Sequence, residues 1–229
     1  MFDRSQLVAD IVLDHPRTGR VFESLRIDFC CGGRIPLADA CAAHSLDESK
    51  VLASLAAALD GEPTRERDFR RMSTLALVAY LVERHHEYLR EVLPEVIRMA
   101  DKVSRVHGDK SADVAAIGEH VRALAGMLEP HLVREEDVLF PLLVSAGEAG
   151  VSAELAAMSD DHLEVGAALV KIRALTNDFT VPTWGCTTVR ALWAALEDVE
   201  RDVHRHVHLE NNVLLPRFAP GDAAGAACC

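Results

Sequence analysis

Aromatic residues are scarce, 5% of 229 residues, and a chain this rich in alanine and leucine with so few aromatics is predicted to be helical. Positive charge is also short. Lys and Arg number 24 against 36 Asp and Glu, which argues against a nucleic-acid or anionic-membrane partner, because either needs a basic face. No apolar run is long enough to span a bilayer without charges, and the opening MFDRSQLVADIVLDHP lacks a basic start, a long apolar core and a cleavage-like site. The expectation is a cytoplasmic protein. The six cysteines lack the spacing of a secreted framework: Cys30 with Cys31, Cys41, Cys186, and Cys228 with Cys229. Adjacent cysteines bring their α carbons closer than a relaxed disulfide prefers, so these read as free thiols in a reducing compartment.

What is present is a repeat. HLVREEDVLFP, from His131 to Pro141, is echoed by HVHLENNVLLP, from His206 to Pro216. In each, a histidine is followed four residues on by a glutamate (Glu135, Glu210), then by a short apolar run and a proline. That spacing stacks an imidazole and a carboxylate on one helix face. In the second copy the stripe runs Leu192, Leu196, Val199, Val203, His206, Glu210, Val213; in the first it runs Leu124, Leu128, His131, Glu135, Val138, Leu142. Both glutamates therefore fall on apolar faces. A buried glutamate is costly to desolvate, and two on facing helices repel unless positive charge lies between them.

Each copy has an upstream partner. His162 lies on the stripe Leu155, Met158, Val165, Leu169, Ile172 and precedes His206 by 44 residues; His86 precedes His131 by 45. Two helix pairs, each giving a histidine and then His-x-x-x-Glu, predict an all-α, antiparallel four-helix bundle with four imidazoles and two carboxylates in its core. His86 and His131 are about equally far from the turn near Gly108, so the donors sit level. Nitrogen and oxygen donors without thiolate favour iron or manganese over a tetrahedral structural zinc. With both glutamates bridging, two histidines per metal and a small oxo or hydroxo bridge, roughly one position per metal stays open.

Taken in order, residues 1–60 read as a small helical N-terminal domain, with helices over Leu7 to Leu13, Arg17 to Leu25 and Asp47 to Leu59, and Ser45 or Asp47 as cap. Between them, IDFCCGGRIPLADAC reads as an irregular turn whose glycine pair leaves the Cys30 and Cys31 thiols accessible. Those thiols suit a redox, metal-transfer or sulfur-transfer role, or simple packing. A polar linker covers 61–72, the bundle 73–219, and a disordered tail 220–229, where Cys228 and Cys229 read as an inert end. The bundle helices are expected from Ser73 to Val106, with Pro94 kinking or breaking the first, then from Ala112 to Val144, a turn over Gly147 to Gly150, Ser152 to Leu175, and Thr188 to Pro216.

The other histidines fit less well. His85 and His86 both lie near the buried edge, and periodicity does not separate them. His204 and His208 share a row with Glu197, Glu200 or Arg201 and Asn211, which reads as a solvated face. His120 stands about three turns from His131, and His107, His15 and His44 have no legible partner. Asp161 and Glu136 flank ligand positions and read as ordinary surface charge, with acids that support the ligands from behind, or proton shuttles, as the alternatives.

These residues together resemble the iron-sulfur cluster repair di-iron proteins, the RIC family, over nearly the whole chain. VFESLRIDFCCGGRIPLADAC is similar to that family's small N-terminal domain, and LVERHHEYLREVLPEV, HLVREEDVLFP, MSDDHLEVG and HVHLENNVLLP to its hemerythrin-like domain. The resemblance implies two non-haem iron ions held by His86, His131, Glu135, His162, His206 and Glu210, with Cys30 and Cys31 as functional thiols. It implies a stress-response protein that restores iron-sulfur clusters damaged by oxidative or nitrosative stress. Its partners would be the damaged proteins and nitric oxide or another small diatomic ligand. The oxygen-carrying hemerythrins use five histidines with an aspartate and a glutamate, so oxygen transport is disfavoured. Two alternatives share the site: a nitric oxide binding or sensing protein, and a di-iron nitric oxide reductase. Placement of the cysteines favours repair, because gas binding needs no thiol domain. A homodimer formed through the accessory helices stays open.

Overall fold

The structure, a computed structural model, describes residues 2–60, 67–145 and 151–218. Part of the expected linker (61–66), the Gly147 to Gly150 turn and the expected tail with Cys228 and Cys229 lie outside these residues. The described chain divides into two units: residues up to Ser73 together with Val207–Arg217, and Thr74–His206 together with Phe218. The cut falls inside one continuous helix, so its last turns are counted with the small unit.

In the small unit, α1 (Val8–Asp14) buries Val8, Ala9, Ile11 and Val12. Its first amides are satisfied by the loop before α3: Val8 N–H donates to Ile35 O at 3.0 Å and Ala9 N–H to Gly33 O at 2.8 Å. A 3₁₀ turn begins with Pro16, whose missing N–H costs nothing at a helix start. It leads into α2 (Gly19–Leu25), whose Phe22 is fully buried. α3 (Leu37–Ala43) occupies part of the stretch expected to be irregular. Pro36 stands at its N-terminal boundary, and the alanine-rich residues after it continue as helix because alanine loses no side-chain entropy there. α4 (Glu48–Ala58) is capped by Asp47, which accepts from the Ser49 and Lys50 amides. Ser45, the other candidate cap, instead takes a left-handed conformation with φ 54°. Arg70, on a 3₁₀ turn at Phe69–Arg71, reaches Asp10 at 3.1 Å and also pairs with Asp14.

The second unit is built from rods joined by turns. The first comprises α5 (Thr74–Leu81), a π-helical turn at Val82–His86, and α6 (Glu87–His107). The second comprises α7 (Ala112–Arg134), a π turn at Glu135–Leu139, and α8 (Phe140–Val144). α9 (Val151–Leu175) is uninterrupted. α10 (Thr187–Leu209) passes directly into a third π turn at Glu210–Leu214. Among the described residues no strand forms, in line with the all-α expectation, and an isolated antiparallel β-bridge joins Leu7 and Pro36.

Apolar stripes face inward on each rod: Leu89, Leu93, Val96, Ala100 and Val103 on α6, Ile117, Val121, Leu124 and Leu128 on α7, and Met158, Val165, Leu169 and Ile172 on α9. Pro94 does not end α6, which runs seven residues before it and on to His107. The ring removes one N–H, but the helix is long and its apolar face is buried on both sides of the proline, so packing outweighs the lost bond. Arg173 of α9 is bonded through Nε at 2.9 Å to the buried Glu200 of α10. Glu200 thus lies inside, on a face that its charged neighbours had marked as solvated.

The π turns move the core register. A widened turn inserts one residue, so a 3.6-residue stripe drawn through it loses phase. On the second rod the stripe was expected to continue from Glu135 to Val138 and Leu142. Instead Val138 is 40% exposed, while Leu139, Phe140 and Leu143 are buried. Truncation separates the two registers: Leu139→Ala should cost about 2–5 kcal/mol, as buried leucines do, and Val138→Ala no more than about 0.5 kcal/mol, both read by denaturant unfolding of the full chain.

Candidate metal centre

Each π turn begins or ends at an expected site residue. Val82–His86 ends on His86, Glu135–Leu139 begins on Glu135, and Glu210–Leu214 begins on Glu210. In the two repeats, proline follows the glutamate by six residues, at Pro141 and Pro216. A proline in a helix clashes with the carbonyl four residues back and leaves it without a donor; widening the turn before it is one way to relieve this.

The six expected donors come together. His86, Glu135, His206 and Glu210 form one group and His131, Glu135, His162 and Glu210 a second, each with ligand-type atoms within 4.8 Å of one another. All six residues are at most 5% exposed. Glu210 lies one turn beyond His206 on the same unbroken helix, which fixes its place by helical continuity. The Glu135 carboxylate faces both groups: Oε2 is 3.3 Å from His86 Nε2 and 3.8 Å from His206 Nε2, and Oε1 is 3.5 Å from His131 Nε2. His86 and His206 approach at 3.1 Å through their Nε2 atoms, and the His131 and His162 rings are 5.0 Å apart.

Outer nitrogens of these rings are held by carboxylates. His86 Nδ1 is 2.6 Å from Glu136 Oε1, and His131 Nδ1 is 3.5 Å from Asp161 Oδ2. A carboxylate accepts only, so it places the ring proton on Nδ1 and turns the Nε2 lone pair toward the cluster. Burial works against the charge on Glu136, but hydrogen bonds from Arg90 and His86 outweigh it and hold its carboxyl below the usual range. Glu136 is thus more than surface charge, and Arg90 Nη1 anchors it from outside at 2.9 Å. His85, the competitor to His86, turns the other way: its Nδ1 is 3.0 Å from Asp202, and its ring stacks on His206 at 5.5 Å. Both histidines are buried because the π turn widens the helix beneath them, which is why periodicity did not separate them.

Two imidazoles and two shared carboxylates per group form a buried constellation whose own side chains sum to a charge of −2 when the histidines are neutral. Such a set fits a pair of cations: the charge demands compensation, and the nitrogen and oxygen donors suit iron or manganese.

The thiol turn lies in the small unit. Asp28 Oδ1 accepts from the Cys30 and Cys31 amides at 2.8 and 2.9 Å, and Oδ2 from Gly32 N–H at 2.8 Å. Gly33 is required by close approach, since a Cβ there would lie 2.4 Å from the Phe29 carbonyl oxygen. The Cys31 thiol beside it, burial and the Asp28 carboxylate push the Cys30 thiol well above its ordinary value. His208 is not a surface residue. It is 3% exposed, its Nδ1 is 3.0 Å from the Phe29 carbonyl, and burial pushes its pKa down to about 4. His204 is half-buried. The burial of His208 could not be read from the helix pattern, because Phe29, which lies against it, is distant in sequence.

A second thiol escaped sequence reading. Cys186 precedes α10 and is exposed; a backbone hydrogen bond from Val189, and then the His107 side chain, whose Nε2 is 3.4 Å away, bring its pKa down to about 7. Its thiolate fraction rises with pH through that value. Alkylation at Cys186 should therefore reach half its maximal rate near pH 7, as followed by mass spectrometry, and His107→Ala should move the midpoint up toward the ordinary thiol value of about 8.5.

Comparison with known proteins agrees with this geometry. Residues 77–218 match the hemerythrin HHE cation binding domain, and residues 4–59 match a domain of unknown function, DUF542. The chain is 38% identical over 219 residues to the iron-sulfur cluster repair protein YtfE of Edwardsiella ictaluri, covering 96% of this chain and 98% of that one. It is 35% identical to the proteins of the same name from Musicola paradisiaca and Dickeya chrysanthemi, covering 97% of this chain and 100% of each relative.

Proposed function

The chain belongs to the iron-sulfur cluster repair family with a hemerythrin HHE cation binding domain, and on that premise we propose that it holds two non-haem iron ions and supplies iron to clusters damaged by oxidative or nitrosative stress. The observation that carries this reading is the pair of buried groups sharing Glu135 and Glu210. His86, His131, Glu135, His162, His206 and Glu210 are the metal ligands in this proposal, and Cys30 and Cys31 act in passing iron on. Bound there, iron supplies both cargo and positions open to a small ligand such as nitric oxide.

The chain's own residues account for retention. Glu136 and Asp161 orient His86 and His131 from behind, and the apolar stripes of α6, α7 and α9 keep water away from the donors. Residues 1–60 form the thiol-bearing domain and 73–219 the iron-holding domain in this reading. The clients are damaged iron-sulfur proteins in the cytoplasm; no helix among the described residues is long and apolar enough to cross a membrane. Capture or reduction of nitric oxide as the main activity would leave the thiol turn without a task.

Iron counting on anaerobically purified protein, followed by reactivation of a cluster-damaged hydratase, tests the proposal. Wild type should carry about two irons per chain and restore the hydratase. Glu135→Ala and Glu210→Ala should each lose most of the iron and the restoring activity together, and unchanged iron content in both would sink the assignment. Glu136→Ala should weaken iron binding by about 10–100-fold, as loss of a partner behind a ligating histidine does.

A further inference from the structure

The turn from Asp28 to Gly33 carries a second constellation of metal-type donors, apart from the buried histidines and glutamates. The Asp28 carboxylate and the Cys30 and Cys31 thiols present donor atoms that all lie within 4.8 Å of one another. Cys30 Sγ stands 3.2 Å from Asp28 Oδ1 and 3.7 Å from Cys31 Sγ. The sulfur separation discriminates between chemistries. A disulfide needs about 2.05 Å, whereas two thiolates on one tetrahedral metal, each bonded at about 2.3 Å, stand about 3.8 Å apart.

The backbone of the turn is already fixed in this arrangement. Three amide bonds to Asp28 and the close approach at Gly33 set it from within. Asp28 Oδ2 accepts one amide, which leaves it a lone pair for a cation. From the π turn after α10, Asn212 Nδ2 donates to the Cys30 carbonyl at 3.1 Å, and Asn211 Nδ2 donates to the same carbonyl at 3.3 Å and lies 3.7 Å from Cys31 Sγ. These two asparagines directly follow Glu210 in the chain. The turn is open on one side: Asp28 is exposed and Cys31 half-buried, whereas Cys30 is buried, against the expectation that both thiols are accessible, because it packs inward beside Phe29.

We propose that Asp28, Cys30 and Cys31 form a separate site for a single sulfur-seeking divalent cation, ferrous iron in this protein, with the fourth position left for a donor from an acceptor protein. The proposal rests on the reading that iron leaves this protein, and it names the ligands of the ion in transit. Binding is ligand exchange without redox change. The two thiols release their protons to solvent, Asp28 is already a carboxylate, the iron stays divalent, and the filled site carries one net negative charge. Thiolate donors differ from the nitrogen and oxygen donors of the buried groups, so the ion moves from harder to softer ligands as it approaches a sulfur-rich destination.

The test uses the full chain with its buried groups already loaded with iron, to which cobalt(II) is added anaerobically. One further equivalent should bind, with a thiolate-to-cobalt charge-transfer band, and X-ray absorption at the cobalt edge should count two sulfur neighbours plus lighter donors. The double substitution Cys30→Ser with Cys31→Ser should abolish the band while leaving the iron content and the helical circular dichroism unchanged. Asp28→Asn keeps an oxygen acceptor for the turn but loses the charge. It should weaken cobalt binding at least about tenfold, given that loss of a mere outer partner already costs about 10–100-fold. Iron-loaded protein that takes up no further cobalt, or cobalt without sulfur neighbours, overturns the site and leaves the di-iron reading standing. A band of full affinity in a folded Asp28→Asn chain overturns the role of the carboxylate. Failure of the purified chain to hold iron at all would instead sink the reading beneath it.

Discussion

Two carboxylates sealed among apolar side chains are the constraint from which the rest follows. Glu135 and Glu210 are at most 1% exposed, and each ion taken out of water costs several kcal/mol even after the surroundings relax. The side chains grouped with them are imidazoles, which carry positive charge only when protonated. The second unit therefore has two requirements: a close-packed helical core, and a place in that core where positive charge must enter. The stripes on α6, α7 and α9 meet the first requirement. The inward-turned Nε2 atoms, held from behind by Glu136 and Asp161, meet the second.

The carboxylates also explain why particular polar residues lie where they do. Glu136 is half-buried between Arg90 and His86, so a charge that looks superficial acts on the ring that faces the core. Asp202 does the same for His85, although that ring belongs to neither group. Glu136 and Asp161 thus stand one ring away from the centre, and Asp202 stands behind a ring stacked on His206. Local bonds of this kind are worth more where water is excluded, because the low dielectric strengthens every one of them.

Much of this was legible in the chain. His131 and Glu135, and His206 and Glu210, could be placed on one face by spacing alone, and the apolar stripe around His162 could be followed without ambiguity. Three things could not. Periodicity could not separate His85 from His86, since the π turn buries both and only their contacts, His86 with Glu135 and His85 with Asp202, tell them apart. The burial of His208 and Glu200 depended on partners remote in sequence, Phe29 and Arg173, which no periodic pattern contains. The inward shift from Val138 to Leu139 followed from a widened turn that a 3.6-residue template cannot express. Helix α3 was missed for a different reason: glycine and cysteine nearby suggested a longer irregular stretch than the alanines after Pro36 allow.

The widened turns divide each affected rod into two halves that no longer share a phase. One extra residue rotates everything beyond it by about 100° around the axis, so a substitution pattern suited to Phe140–Val144 says nothing about the pattern suited to α7. Over generations the two halves of such a rod can drift by separate rules, provided the residue count at the seam is kept. A single deletion there would be far more damaging than many exchanges on either side, since it would swing a whole half-rod away from its partners while altering no side chain's chemistry.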